Sequence, residues 1–550
     1  MSDQNGNQER FVFTRRGLVL SGAAAAALAI ANPRFVNAAA TRSRFDGSRH
    51  ASTGNTIVIG TLGEASTINP FLANESESDF RCSMLYDHFV RLNPATYAPE
   101  PGIAASWTID GLKFTFKLQP NAKFSDGSAL TADDIAFTLK GHLAKATGSF
   151  RQAKYAVIAG GQDFTDGKAT DVSGIKVVDP QTIEITLGKP DAPFLLNLRY
   201  VYPVPKAALD GKDLATDAFF QKPVGAGPFT FQKWDTGADF VATKNASFWE
   251  TGKPTLDSFT HRVVADAQAI VSAVESGDLD ASNYPAPTAA DELKKDTDLV
   301  VLVPPFNSPN GWIFNCRNEW LGKKEVRKAI AMALDTKQFA TDSLLGLGTA
   351  GNGSIAPSSW AYDKELAPIP FDVAGAKALI AQSGLPSGTK FRFSVNAGNV
   401  LREDWLTYTQ QALKEIGIEV DPVAGEYATL MTQTTTAPYD FDVCGIDVAG
   451  ATVDPSDLYD QFYTGAPSNY AGYSNPALDT LLEQGRQELD IEKAKVIWKQ
   501  VQEILQDDVP MFFAWYRPFL HVVAKRYAGY VDSNLDAGLF ERVQDWTVTA

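Results

Sequence analysis

The sequence predicts an α/β protein of more than one domain, and three observations predict it. Alternating or β-branched runs of strand length recur along the chain. They change places with amphipathic helical stretches, an order that builds sheets covered by helices. From about residue 310 to 515 the two kinds of segment alternate regularly, whereas the earlier part is richer in strands. The third observation is length. The chain has 550 residues, and at ~100–200 residues per domain that means roughly two to four domains.

The elements are read in chain order. TIVIGT (56–61) is β-branched and followed by a glycine soon after, a strand. KFTFKL (113–118) places Phe114, Phe116 and Leu118 on one face of a half-buried strand. Asp126-Gly127 marks a turn. Thr131 followed three residues later by Asp134 is a capping box that opens a helix over IAFTLKGHLAKA. The cap accounts for the paired carboxylates Asp133 and Asp134 more simply than acid–base chemistry does. Val172 to Leu187 reads as two strands around Asp179-Pro180. Glu325 to Leu345 reads as one amphipathic helix, with Phe371–Ser383, Trp405–Ile416 and Ile491–Leu505 as three more. Strands at 390–395, 418–423 and 441–446 alternate with these helices.

The first forty residues are read as an address rather than as part of the fold. Arg15 and Arg16 precede a mildly apolar, Ala-rich stretch, and small residues follow near Ala38. Twin arginines before a weak apolar core resemble a Tat export signal. The polar stretch 41–54 then reads as a flexible lead-in.

Composition excludes several classes. With 49 Lys+Arg against 65 Asp+Glu the net charge is −16. Removing the leader, with its four Arg and two acids, takes it to −18. That balance disfavours nucleic acid and anionic membrane surfaces. The three cysteines, Cys82, Cys316 and Cys444, form no CxxC pair, although Cys316 and Cys444 could bridge in an oxidising compartment. The five histidines are isolated, so no local pair makes a metal site and no cofactor is implied. Gly346-Leu-Gly348-Thr-Ala-Gly351 matches GxGxxG, but a helix pattern precedes it and no helix start follows, so it reads as a mobile glycine loop. Aromatics in polar, loop-like settings suit a ligand cleft, notably Trp312, Trp405, Tyr427, Trp515 and Tyr516.

Six blocks, in order, resemble the family 5 extracellular solute-binding proteins of ABC importers, the oligopeptide, dipeptide, nickel and opine group. They are Pro101-Gly-Ile-Ala-Ala-Ser-Trp107 with the segment through Leu139; Val224-Gly-Ala-Gly-Pro-Phe229 with KNASFWETGKPTLDSF (244–259); and Phe314-Asn315 with VRKAIAMALDTKQFA (326–340). FDVAGAKALIAQSGLPSG (371–388) with ALKEIGIEV (412–420), Asp454-Pro455 with YAGYSNPALDTLLEQGR (470–486), and the closing helix with VPMFFAWYRP (509–518) complete them.

The resemblance implies a two-lobed, hinged binding protein of the type II, cluster C-like kind, with central mixed sheets and an extra subdomain in the N-terminal lobe. Lobe I would hold 55–307 and 519–550, with an insertion at about 86–221, and lobe II would hold 308–518. It further implies a periplasmic monomer that delivers a peptide, an opine or a similar small polar solute to a membrane permease and its ATPase. The dipeptide branch carries an aspartate three residues before the Asp-Pro pair. Ala451 stands there in this chain, and Asp447 lies seven before Asp454. Either an insertion keeps Asp447 in that role or free-amine recognition is gone. The remaining expected contacts are Arg402 for a carboxylate, Trp405, Trp515 and Tyr516 for the solute's body, and Thr67, Asn307 and Asn396 for hydrogen bonds. The alternative is a secreted hydrolase with carboxylates assembled in space, but no nucleophile or metal motif accompanies it.

Overall fold

The computed structural model describes residues 54–303, 309–445, 454–466, 468–516, 519–533, 535 and 537–549. The leader (1–40) and nearly all of the lead-in (41–54) lie outside them.

Three principal sheets organise the chain. The first has seven strands in the order Leu299–Leu302, His521–Ala524, Ala281–Ser282, Thr56–Thr61, Ser258–Val263, Asp239–Lys244 and Phe229–Trp234. Thr56–Thr61 pairs in parallel with both Ser258–Val263 and Ala281–Ser282, and the other pairings are antiparallel. The second has six strands in the order Thr349–Ala350, Met511–Tyr516, Pro309–Phe314, Val443–Gly445, Thr389–Asn396 and Ile418–Gly425. Here Thr389–Asn396 is the parallel centre, flanked by Ile418–Gly425 and Val443–Gly445. The third is an antiparallel layer, Ala104–Asp110, Lys113–Leu118, Thr182–Thr186 and Ile175–Asp179, inserted within the span of the first. The chain leaves the first sheet after Leu302, builds the second from Pro309 to Tyr516, and returns to the first at His521. Two bodies joined by two crossings are the result.

Helices cover both faces of the second sheet. Its strands Pro309–Phe314 and Met511–Tyr516 are buried along their whole length, as strands covered on both sides must be. Trp312, Phe393, Trp405, Phe512 and Trp515 pack on one side. Ile313, Cys444, Trp498 and Phe513 pack on the other. Register slips between Asn310 and Gly311, where Asn310 faces Trp515 and Gly311 faces Phe513. The bulge leaves Ala514 unmatched and turns Trp515 to the same side as Phe512. Gly311 is required opposite it, because a Cβ there would sit 1.8 Å from the Phe512 carbonyl oxygen.

Several sequence expectations are met closely. The strand at Thr56–Thr61 has the expected bounds, and so does the one at Lys113–Leu118. Thr131 donates its N–H to Asp134 Oδ2 at 2.8 Å and opens Ala132–Leu143.

Others need correction. The single helix expected over 325–345 is two, Lys324–Met332 and Thr336–Ser343. Asp335 starts the second by accepting the Gln338 N–H at 3.0 Å, so the chain turns although the apolar period runs through. The helix expected from Phe371 begins at Val373, capped by Asp372. The one expected from Trp405 begins at Val400, capped by Asn399. The GxGxxG segment is not a free loop. Thr349–Ala350 pairs with Trp515 and Tyr516, and a Cβ at Gly351 would stand 2.4 Å from the Phe513 carbonyl oxygen. Gly348, whose Cβ would stand 2.7 Å from the Tyr516 carbonyl oxygen, and Gly351 serve close backbone approach, whereas Gly346 takes a left-handed backbone at φ +71°.

Candidate ligand-binding site

Ligands of α/β sheets bind outside the carboxyl ends of parallel strands, where loops diverge. Both large sheets carry such a parallel trio, and candidate polar residues collect at its carboxyl end in each.

In the second lobe, Asn396 ends the central strand and Arg402 stands in the first turn of the next helix. Arg402 Nη1 donates to Asn396 Oδ1 at 2.6 Å, and Asn399 Oδ1 caps the same turn through the Arg402 N–H at 3.2 Å. Arg402 is buried, 6% exposed, so its guanidinium is held rather than free in solvent. The structure thus brings together two residues singled out from sequence alone. Tyr427 follows the second parallel strand by two residues and begins the helix Tyr427–Thr435; its side chain lies outside what is described. Asp447 follows the third parallel strand by two residues in sequence, and it lies outside the described residues, as does Asn307.

The aromatic expectation is corrected in its setting. Trp312 and Trp515 stand in strands and Trp405 in a helix, not in loops. Trp405 stacks on Trp312 with centroids 6.2 Å apart and on Tyr408 at 5.6 Å, and meets Phe339 edge-on at 4.7 Å. Phe339 also touches Trp515 at 5.7 Å. Trp312 Nε1 donates to Thr409 Oγ1 at 3.1 Å. Tyr516 is equally interior, its hydroxyl donating to the Gly353 carbonyl at 2.9 Å, and burial pushes that phenol up. The Trp312, Phe339, Trp405, Tyr408 and Trp515 rings form a packed block, and Trp405 lies on the same helix as Arg402, three residues on.

In the first lobe, Thr67 follows the strand Thr56–Thr61. Its N–H donates to Ser78 Oγ at 3.1 Å and its Oγ1 accepts the Asn69 N–H at 2.9 Å. Sequence reasoning missed its richer neighbourhood. Glu77 accepts from Thr61 Oγ1 and from the Tyr284 hydroxyl, each at 3.1 Å. Burial raises its carboxyl above the ordinary range despite those bonds. Arg81 is fully buried with its guanidinium 4.8 Å from both the Trp234 and Phe240 rings. It pairs with Glu64 at 2.7 Å and donates from Nε to His261 Nδ1 at 3.3 Å. Burial, and then the charge of Arg81, hold His261 well below its usual range, hence neutral and able to accept. A small crevice opens beside Thr61, Ser76, Glu77, Asn283 and Tyr284. Thr61 ends one parallel strand, and Asn283 and Tyr284 follow another. No motif announces this group, because contacting members such as Glu77 and Tyr284 lie 207 residues apart.

Cys316 and Cys444 are both free thiols, so the bridge considered from sequence is not formed. Cys444 sits in the second sheet, on the strand Val443–Gly445, accepting from Thr434 Oγ1 at 3.5 Å, and burial pushes its thiol up to about 11. Among the described residues no cluster of three His, Cys, Asp or Glu could hold a metal, and no helix is long and apolar enough to cross a membrane.

Two hinged-type lobes, each offering polar groups at the ends of parallel strands, define a two-lobed solute-binding protein. Comparison with known proteins agrees. The chain is 28% identical over 486 residues to the oligopeptide-binding protein AppA of Bacillus subtilis, covering 84% of this chain and 86% of that one. It is 23% identical over 525 residues to the dipeptide-binding protein of Escherichia coli, covering 89% and 94%. The structure of Bacillus subtilis AppA in complex with a nonapeptide superposes with a TM-score of 0.78 at 25% identity, covering 90% of this chain and 99% of that one. The substrate-binding protein CtaP of Listeria monocytogenes shares the fold at a TM-score of 0.79 and 22% identity, covering 91% and 100%. The profile described as "Bacterial extracellular solute-binding proteins, family 5 Middle" matches residues 98–470. The chain belongs to the family 5 bacterial extracellular solute-binding proteins. Members bind and do not transform their solute, so the hydrolase reading is not supported.

Proposed function

We propose that this protein captures a peptide or peptide-like polar solute and delivers it to an ABC permease and its ATPase. The observation that supports this most is the family match across residues 98–470, joined to relatives named for oligopeptide and dipeptide binding. The acidic chain, at −16, argues against a nucleic-acid binder.

In this reading lobe I comprises 55–307 with 519–550, lobe II comprises 308–518, and the insertion lies at about 86–221. The solute lies between the lobes. Closure removes water, so each charged group of the solute must meet an opposite charge or a fixed dipole. Arg402 with Asn396 receives a carboxylate, Asp447 a cationic group, and Thr67, Asn307 and Tyr427 supply further polar contact. Trp312, Trp405, Trp515 and Tyr516 already have interior partners and form the rigid interior of the lobe that carries Arg402. A micromolar solute supplies about 8 kcal/mol, part of which offsets lost motion, and the closed form gains population by its higher affinity.

The twin arginines Arg15 and Arg16 serve export as a folded protein to the periplasm. Native mass spectrometry of protein purified from its host tests the reading, and a co-purified peptide or opine-like mass is expected. A protein that stays empty through a screen of peptides and opines overturns it. Replacing Arg15 and Arg16 by Lys should leave the precursor in the cytoplasm; unchanged export removes the signal assignment.

A further inference from the structure

The inserted four-stranded layer meets the second lobe through a bonded contact that solute binding does not explain. Asp191 lies between the strand Thr182–Thr186 and the short helix Phe194–Asn197. Its side chain is 0% exposed, and Oδ1 accepts from Arg486 Nε at 2.6 Å. Next to it, the Ala192 N–H donates to the Arg486 carbonyl at 2.8 Å. Arg486 stands at the end of the helix Pro476–Gln487 in the second lobe, its guanidinium 5.1 Å from the Tyr459 ring. A second, more exposed pair joins Lys154 Nζ to Asp457 Oδ1 at 3.4 Å. A small crevice at the contact is lined by Pro193, Ser456 and Asp460 beside those charges. Lys189, Asp454 and Asp460 are the other charged groups near the pair.

A carboxylate stays buried only when it is paired. Asp191 and Arg486 are 295 residues apart in sequence and belong to different bodies. Their bond therefore exists only while those bodies are together, and lobes moved apart would return both groups to water.

We propose that the Asp191–Arg486 pair, with the Ala192 main-chain bond and the Lys154–Asp457 pair, is a latch that holds the two lobes in their closed arrangement. Removing one partner penalises the closed state, where the other stays buried and unpaired. It leaves the open state alone, where both are hydrated. The equilibrium moves by that difference. The latch rests on the two-lobed fold and not on which solute is bound.

The test uses the mature chain with Cys316→Ser, freed of solute by unfolding and refolding. Spin labels at Lys222→Cys and Glu415→Cys, both exposed and one in each lobe, report the distance by double electron–electron resonance. A populated short distance is expected without solute, and Arg486→Met should raise the ratio of long to short by tenfold or more. Lys324→Met, which breaks an ion pair with Asp507 inside the second lobe, should change nothing. Should Arg486→Met fail to fold by circular dichroism, Asp191→Asn combined with Lys154→Met is read in its place, with a shift in the same direction expected. A distance distribution that overlays the parent's in a folded latch variant, or a parent lacking the short distance, overturns the proposal.

Discussion

Arg402 Nη1 and Asn396 Oδ1 are 2.6 Å apart, and this bond ties the first turn of a helix to the carboxyl end of the middle strand of the second sheet's parallel trio. The guanidinium is thereby held in place before any solute arrives. Arg402→Met should lower solute affinity by roughly ten- to a hundredfold, since a hydrogen bond to a charged group contributes about 1.5–3 kcal/mol. Calorimetric titration with the co-purified solute reads this directly. Parent-like affinity would reduce Arg402 to a structural residue.

The aromatic block of the same lobe acts on stability. Trp405→Ala should cost about 3–5 kcal/mol, because it empties a filled interior. Trp312→Phe should cost about 1 kcal/mol for the bond to Thr409. Urea denaturation followed by circular dichroism measures both. Solute affinity of a folded Trp312→Phe protein should stay within a few-fold of the parent.

Gly311→Ala should be severe for a methyl group. The added Cβ would meet the Phe512 carbonyl oxygen at 1.8 Å, which is backbone and cannot swing aside. The strands must part, and the bulge that orients Trp515 goes with them. A loss of several degrees in Tm is expected; an unchanged melting curve would show that the strands adjust freely.

Asp454 supplies a pH dependence. Burial lifts its carboxyl to about 6 from an ordinary 3.8, against hydrogen bonds from Ser456, with Asp457 and Asp191 pushing the same way as burial. Because the folded value lies above the unfolded one, the folded state binds the proton more tightly. That stabilisation is complete below the unfolded pKa and is lost as pH rises through about 6. At pH ~7 the ionised carboxylate then costs about 3 kcal/mol. Asp454→Asn, still an acceptor for the Ser456 N–H, should stabilise the protein at neutral pH by up to that amount. The gain should shrink toward pH ~4. Unfolding curves at both pH values decide it, and an equal gain at both would refute the assignment.

The cysteines make a simpler prediction. Three free thiols should titrate after denaturation and Cys444 should resist labelling in the native protein, since burial pushes its thiol up to about 11. Only one reactive thiol after denaturation would restore the bridge.

Local rules were legible where the responsible residues are neighbours. The capping box at Thr131 and Asp134 and the alternation in KFTFKL could be read because each involves one turn or one strand face. The break at Asp335 could not, since a cap contributes only about 1 kcal/mol and the apolar period continued across it. The aromatics misled for a related reason. Trp405 and Trp515 are each 1% exposed, and only packing shows which face a ring takes.

By itself the sequence determined the class of protein, through six ordered blocks, and most strand and helix positions, through short-range periodicity and capping. Tertiary structure decided that Trp312, Trp405 and Trp515 are interior, that Glu77 meets Tyr284, and that Asp191 meets Arg486. Those contacts join residues scores to hundreds of positions apart, and burial is a property of the assembled sheets that no local pattern encodes.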